Sequence, residues 1–182
     1  MFYFHVTFIL LNLVFWLYLV YAAWEVLHKR APFVPSFGNP QRIAFQKISA
    51  LLDRAETQQT LIDAGCGTGN LLARLAKRYP QHCFIGIEYN PVLYKHCLLR
   101  HKKISNLSFL HQDLLDFDYN RADIIYYFGL PALTRQLQKK LKATAKTLDL
   151  ITLDAEFPEL HFEEKEKFRI WCGESYIYHY KN

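Results

Sequence analysis

The sequence predicts an α/β protein: a mostly parallel, helix-covered sheet closed at one edge by a terminal antiparallel hairpin, behind one N-terminal transmembrane helix. Three observations predict it. From about residue 60 onward, short apolar runs alternate with helical patterns. The stretch Leu61-Ile62-Asp63-Ala64-Gly65-Cys66-Gly67-Thr68-Gly69-Asn70 reads as a buried strand that breaks into a glycine turn and opens a helix. From Met1 to Trp24 the chain carries no Asp, Glu, Lys or Arg.

The apolar stretch 6–24 comes close to the ~20 residues a helix needs to cross a bilayer. Phe2, Tyr3 and Phe4 at one end, and Tyr18, Tyr21 and Trp24 at the other, match the aromatic belts of membrane interfaces. A cleaved signal peptide would want a basic start and a small-residue cleavage site. Here the start lacks a basic side chain and Ala22-Ala23 runs into bulky Trp24, so a retained anchor is expected. His28, Lys29 and Arg30 follow at once, which by the positive-inside tendency puts the domain on the cytoplasmic side. The expected organisation is an anchor over residues 1–27, a linker and lead-in helix over 28–58, and the α/β domain over 59–182.

Pro32, Pro35, Gly38 and Pro40 punctuate the linker, and Ile43, Ala44, Ile48, Leu51 and Leu52 then form a helical stripe over 41–52. Strands are expected at 60–64, 83–88, 107–110, 124–128 and 150–155, with helices at 71–78, from Pro91 to about 102, and at 133–148. Pro91 suits the first turn of its helix. A hairpin of 168–171 and 176–180, turning at Cys172-Gly173-Glu174, ends the chain.

The formal net charge of +5 admits nucleic acid, but no Arg-rich stripe interleaved with aromatics supports it. The early basic residues have a simpler place beside anionic headgroups. Cys66, Cys83, Cys97 and Cys172 show no paired spacing suited to zinc or to a disulfide framework, and reduced thiols fit a reducing compartment. His96, Cys97 and His101 share one expected helix and read as surface or packing residues, so no metal is expected.

In an open α/β sheet the ligand lies at the carboxyl ends of the strands. Asp63, Glu88 and Asp113 fall at the ends of the first three strands, one strand–helix repeat apart, and so share one rim. Gly65, Gly67 and Gly69 let backbone approach a ligand closely. Their G-x-G-x-G spacing differs from the G-x-G-x-x-G of dinucleotide binders, which steers the reading from hydride transfer to S-adenosylmethionine. Glu88 can accept from both ribose hydroxyls, Asp113 from an adenine amine with Leu114 giving backbone N–H and apolar cover, and Asp63 suits a cationic amino group. An acidic rim favours a cationic ligand over a pyrophosphate.

Asp63 to Gly69 with Glu88 and Asp113 resembles the cofactor site of class I S-adenosylmethionine-dependent methyltransferases, whose sheet is Rossmann-like with a reversed edge strand. The anchor, Pro32-Phe33-Val34-Pro35-Ser36, and Phe128-Gly129-Leu130-Pro131 after the fourth strand are similar to the membrane-anchored lysine methyltransferases. The mitochondrial members of that group act on the ATP synthase c-subunit and the adenine nucleotide translocase. The resemblance implies that Asp63, Gly65, Gly67, Gly69, Glu88, Asp113 and Leu114 hold the cofactor, and that Pro35, Ser36, Gly129 and Pro131 border the acceptor pocket. The N-P-P-Y motif of many amide and base methylases is replaced by Tyr126-Tyr127-Phe128-Gly129, which speaks against DNA-base methylation. Little room is left between Asp154 and Phe168 for the last helix of the fuller class I pattern.

The expected activity is therefore protein-lysine N-methylation of a membrane or membrane-proximal protein. Two alternatives stand beside it: a methyltransferase for a small lipophilic substrate such as a lipid or quinone, and a non-catalytic membrane-tethered cofactor-binding module. Tyr126, Tyr127 and Asp154 are the candidate catalytic residues. The expected location is a bacterial inner membrane, or the mitochondrial inner membrane in a eukaryote, with the domain on the cytoplasmic side.

Overall fold

The computed structural model describes residues 2–27, 39–129, 131–160, 162–170 and 173–181. The chain divides into two units, 1–34 and 35–182. Pro35, Ser36, Leu130, Trp171 and Cys172 lie outside the described residues.

In the first unit, α1 (Phe2–Leu27) has no acidic residue in its first turn and no basic residue in its last. Its large apolar side chains from Phe8 to Val20 are all exposed. Among the described residues no helix is long and apolar enough to cross a membrane. The expected span therefore rests on the sequence.

The second unit opens with α2 (Asn39–Arg54), whose Ala44, Ile48 and Leu52 are buried at the spacing read from the sequence. Then follow β1 (Thr60–Ala64), α3 (Asn70–Arg78), β2 (Cys83–Glu88), α4 (Pro91–His101), β3 (Leu107–His111), β4 (Ile124–Tyr127), α5 (Pro131–Lys142), β5 (Asp149–Leu153), β6 (Phe162–Ile170) and β7 (Gly173–Lys181). The seven strands form one sheet in the order β3-β2-β1-β4-β5-β7-β6. β1 to β5 pair in parallel, and β7 runs antiparallel to both β5 and β6. The order reverses between β1 and β4, the switch point at which such sheets bind ligands.

Two apolar clusters fill the faces of the sheet. One gathers α2, α3, Cys97 of α4 and Phe109 with Leu61, Ile124, Tyr126 and Ile151. The other gathers Leu137 and Leu141 of α5, Phe117, Tyr119 and Phe157 with Ile62, Ile125, Tyr127 and Leu150. Alternate residues of β1 and β4 thus serve opposite faces, as strand geometry requires.

Two expected boundaries are corrected. The helix expected over 133–148 ends at Lys142, because Ala143 and Thr144 turn back onto the carbonyls of Lys140 and Leu141 and the Ala145 N–H goes to Asn120. The terminal hairpin is longer than expected. β6 takes in the charged residues 163–167, which carry no apolar period because they edge the sheet. Lys47 of α2 reaches Glu164 at 2.9 Å and Glu166 at 2.5 Å there, and such charges protect an exposed strand edge from pairing with other chains.

Candidate functional site

The glycine turn between β1 and α3 carries the site. Gly65, Gly67 and Gly69 take φ of +98°, +56° and +69°, values that side chains disfavour. The Gly65 and Cys66 N–H groups both donate to the Ile87 carbonyl at 3.0 Å, which draws the turn across the end of β2. The Gly67 N–H donates to Glu88 Oε2 at 2.8 Å, and the Asn90 N–H to Glu88 Oε1 at 2.7 Å. Glu88 therefore ties the turn to the end of β2, while Asn90 caps α4 by accepting from Val92 and Leu93. Burial pushes the Glu88 carboxyl up, and these backbone donors pull it down; the net shift is upward.

Helix α4 braces the turn from the other side. The Cys97 thiol donates to the Gly67 carbonyl at 3.1 Å, and His101 Nε2 meets the Thr68 carbonyl at 3.0 Å. A carbonyl only accepts, so Nε2 carries the proton. Burial lowers the His101 pKa and favours its neutral form. Cys97 and His101 stand four residues apart, so one helical turn brings both to the buried face. That signal was available in the sequence, although neither residue is singled out there as part of the site. Cys66 lies against Cys97; their thiol–thiol hydrogen bond and burial hold the Cys66 thiol well up, in its neutral state.

Asp63 pairs in register with Gly86 on one side and Tyr126 on the other. It is buried, and no hydrogen-bond partner is described for its carboxylate. Burial, and then the nearby Glu88 charge, push its pKa up to about 8. Tyr126, on the same face, is buried with its hydroxyl unpartnered among the described residues. Burial, and then the Asp63 and Asp154 charges, push that phenol up.

The remaining candidates are less tightly grouped. Asp113 follows β3 half-buried, its Oδ1 accepting from the Leu115 N–H at 2.8 Å. Half-buried Leu114 beside it accepts from the Tyr119 hydroxyl at 2.9 Å. Tyr127 lies in the opposite cluster, edge-on to Phe157 with ring centroids 5.9 Å apart, and is not brought together with Asp63. Asp154 is exposed at φ +52° just past β5; its N–H donates to the Tyr176 carbonyl and its Oδ1 accepts from the Tyr176 N–H, joining β5 to β7. Gly129 is a position that only glycine fits, since a Cβ there would lie 2.5 Å from the Tyr127 hydroxyl oxygen. Pro131 opens α5, exposed. Among the described residues no cluster of three or more His, Cys, Asp or Glu could hold a metal ion.

The sheet order and the glycine turn set the ground for comparison with known proteins. Residues 63–163, more than half of the chain, match the family described as the ANTKMT methyltransferase domain. The chain belongs to the ANTKMT methyltransferase family. The match begins at Asp63 and takes in Glu88, Asp113 and the whole of β4 and α5. Among curated proteins, none matches the chain.

Solved structures similar to this ANTKMT-family chain are methyltransferases of the same fold. An RNA methyltransferase from Salinibacter ruber, in complex with S-adenosyl-L-homocysteine, is 22% identical with a TM-score of 0.65, covering 81% of this chain and 93% of its own. The N-methyltransferase NodS from Bradyrhizobium japonicum WM9, also with S-adenosyl-L-homocysteine, is 17% identical with a TM-score of 0.63, covering 83% and 91%. TYW2 from P. horikoshii, in complex with MeSAdo, is 19% identical with a TM-score of 0.55, covering 80% and 63%. The chain is a class I methyltransferase, and its cofactor is S-adenosylmethionine.

Proposed function

We propose that this methyltransferase is anchored in a membrane and methylates lysine side chains of a protein within or beside that membrane. The observation that carries the reading is the family match, taken with an N-terminal stretch that holds no Asp, Glu, Lys or Arg from Met1 to Trp24. The exposed apolar residues from Phe8 to Val20 support the anchor, since lipid would cover what the chain leaves bare. The basic residues His28, Lys29 and Arg30 favour a domain on the cytoplasmic side, in a bacterial inner membrane or its mitochondrial counterpart.

The residues at the rim fit the cofactor. A Cβ at Gly65 would meet nothing within 4 Å, so the turn leaves open space where a ligand could approach its backbone. Each Glu88 oxygen accepts one backbone N–H and keeps a lone pair for a ribose hydroxyl. Asp113 Oδ2, which has no described partner, is the acceptor for an adenine amine, with Leu114 alongside. Asp63 is a buried acid suited to the ammonium of the methionine moiety. When bound, the cofactor supplies a sulfonium methyl group open to in-line displacement. The chain's own residues align the two reactants, a contribution that rests on orientation. An acceptor lysine must first lose its proton, and a dry pocket walled by aromatic rings lowers its pKa. The segment containing Pro35 and Ser36, with Gly129 and Pro131, is the proposed border of that pocket.

The test uses the full chain, membranes from its host and cofactor labelled in the transferred methyl. Label is expected on a lysine of a membrane-fraction protein, identified by mass spectrometry. Label recovered in lipid or quinone, with none on protein, would overturn the lysine reading in favour of a small lipophilic acceptor. Cofactor binding without turnover on any membrane extract would make the chain a tethered binding module.

A further inference from the structure

Among the described residues the Tyr126 hydroxyl has no partner, a cost with no structural return. Tyr126 is 4% exposed, and its ring already packs in the cluster formed with α2 and α3. A phenylalanine would fill the same volume without burying an unsatisfied hydroxyl, which is destabilising. An acceptor able to use that donor is the Asp63 carboxyl, which pairs in register with Tyr126 across β1 and β4, is buried on the same face and is likewise without a partner among the described residues. A buried donor and a buried acceptor, on one face and at the strand ends where ligands bind, are set apart from the packing core by this shared lack of partners.

We propose that Tyr126 is a positioning residue for the cofactor: its hydroxyl donates to the Asp63 carboxylate once that carboxylate is ionised and faces the ammonium of the methionine moiety. The inference rests on the rim placement proposed above, but not on the identity of the methyl acceptor. In the ligand-free protein Asp63 holds its proton up to about pH 8, because it is buried and close to Glu88. An ammonium beside it favours the anion. The anion is a strong acceptor, and the Tyr126 O–H is the buried donor on its own face. The other ionisable groups around Asp63 and Tyr126 are Glu88 at the end of β2, the neutral Cys66 thiol in the glycine turn, and Asp154 past β5. Glu88 and Asp154 carry like charge and cannot donate, and the Cys66 thiol is engaged with Cys97, whose own proton goes to the Gly67 carbonyl, which leaves Tyr126 to hold the carboxylate in place.

Calorimetric binding of S-adenosyl-L-homocysteine to the full chain tests this, using Tyr126→Phe and, as reference, Asp63→Asn. Tyr126→Phe is expected to weaken binding about tenfold at pH 7. The ligand-free melting temperature should stay equal or rise, because an unsatisfied hydroxyl is gone. In the parent protein affinity climbs with pH over about 5.5 to 7.5 as Asp63 gives up its proton. In Tyr126→Phe that climb should be shallower, because the carboxylate in the complex has lost a hydrogen bond that favoured its charged form. If Asp63→Asn weakens binding while Tyr126→Phe binds like the parent with the same pH profile, the positioning role is overturned and the rim stands. If Asp63→Asn also binds like the parent, the rim placement falls and this inference falls with it. A lowered ligand-free melting temperature in Tyr126→Phe, with an unchanged pH profile, would assign the hydroxyl a structural role and overturn the proposal as well.

Discussion

Asp63 is held in its acid form by its surroundings, and this makes the stability of the ligand-free protein depend on pH in an uncommon direction. Burial and the Glu88 charge raise its pKa from an ordinary 3.8 to about 8. Between those values the folded chain keeps a proton that the unfolded chain has released. Stability therefore falls as pH rises through this window and levels off above about 8. The slope from this one group is at most about 1.4 kcal/mol per pH unit. Glu88, also raised, acts in the same direction, whereas His101, whose pKa is lowered, contributes stability that grows as pH rises toward 6.5. Comparing the parent with Asp63→Asn isolates the carboxyl: the variant should show a flatter decline in urea-unfolding free energy between pH 5 and pH 8. Equal slopes in the two proteins would mean that Asp63 is already ionised in the folded state.

At the scale of elements, the glycine turn is a junction of β1, α3, α4 and β3 rather than a free loop. Gly69 caps α3 at φ +69°, and a Cβ there would lie 2.7 Å from Phe109 Cε1 and 3.2 Å from Cys97 Sγ. Gly65, at φ +98°, faces open space. Gly69→Ala must therefore displace β3 and α4 side chains as well as strain the backbone, for a loss of about 3 kcal/mol. Gly65→Ala adds backbone strain alone, about 1–2 kcal/mol. Thermal unfolding of the two variants should rank them in that order; the reverse order would mean that the turn is not packed as described. Much of this junction is legible in the sequence. The apolar runs locate β1 to β5 to within a residue or two, and the glycines with Asp63, Glu88 and Asp113 mark the rim, because strand ends and turns are written in local composition. What is not legible depends on contacts distant in sequence. Cys97 and His101 reach back to Gly67 and Thr68 only once α4 has packed on the sheet. The charged residues of β6 form a strand only because β7 pairs with them. The end of α5 is set by Asn120, which the periodicity of its own segment cannot reveal.

The whole molecule joins two units with opposite solvation. Residues 35–182 bury two apolar clusters, whereas residues 1–34 hold a helix whose large apolar residues from Phe8 to Val20 are exposed. A unit of about 150 residues is large enough to bury a stable core, and residues 35–182 supply two apolar clusters of their own. Removing residues 1–34 should therefore leave the melting temperature and the S-adenosyl-L-homocysteine affinity of the remaining domain unchanged. The same deletion should move the protein from the membrane fraction to the supernatant. If lysine methylation of a membrane partner is the activity, it should fall far more than methylation of a soluble peptide containing the same lysine, because confining enzyme and substrate to one surface acts through effective concentration. Equal losses on both substrates would mean that the N-terminal helix contributes to catalysis itself, and a full-length chain found in the supernatant would refute anchoring.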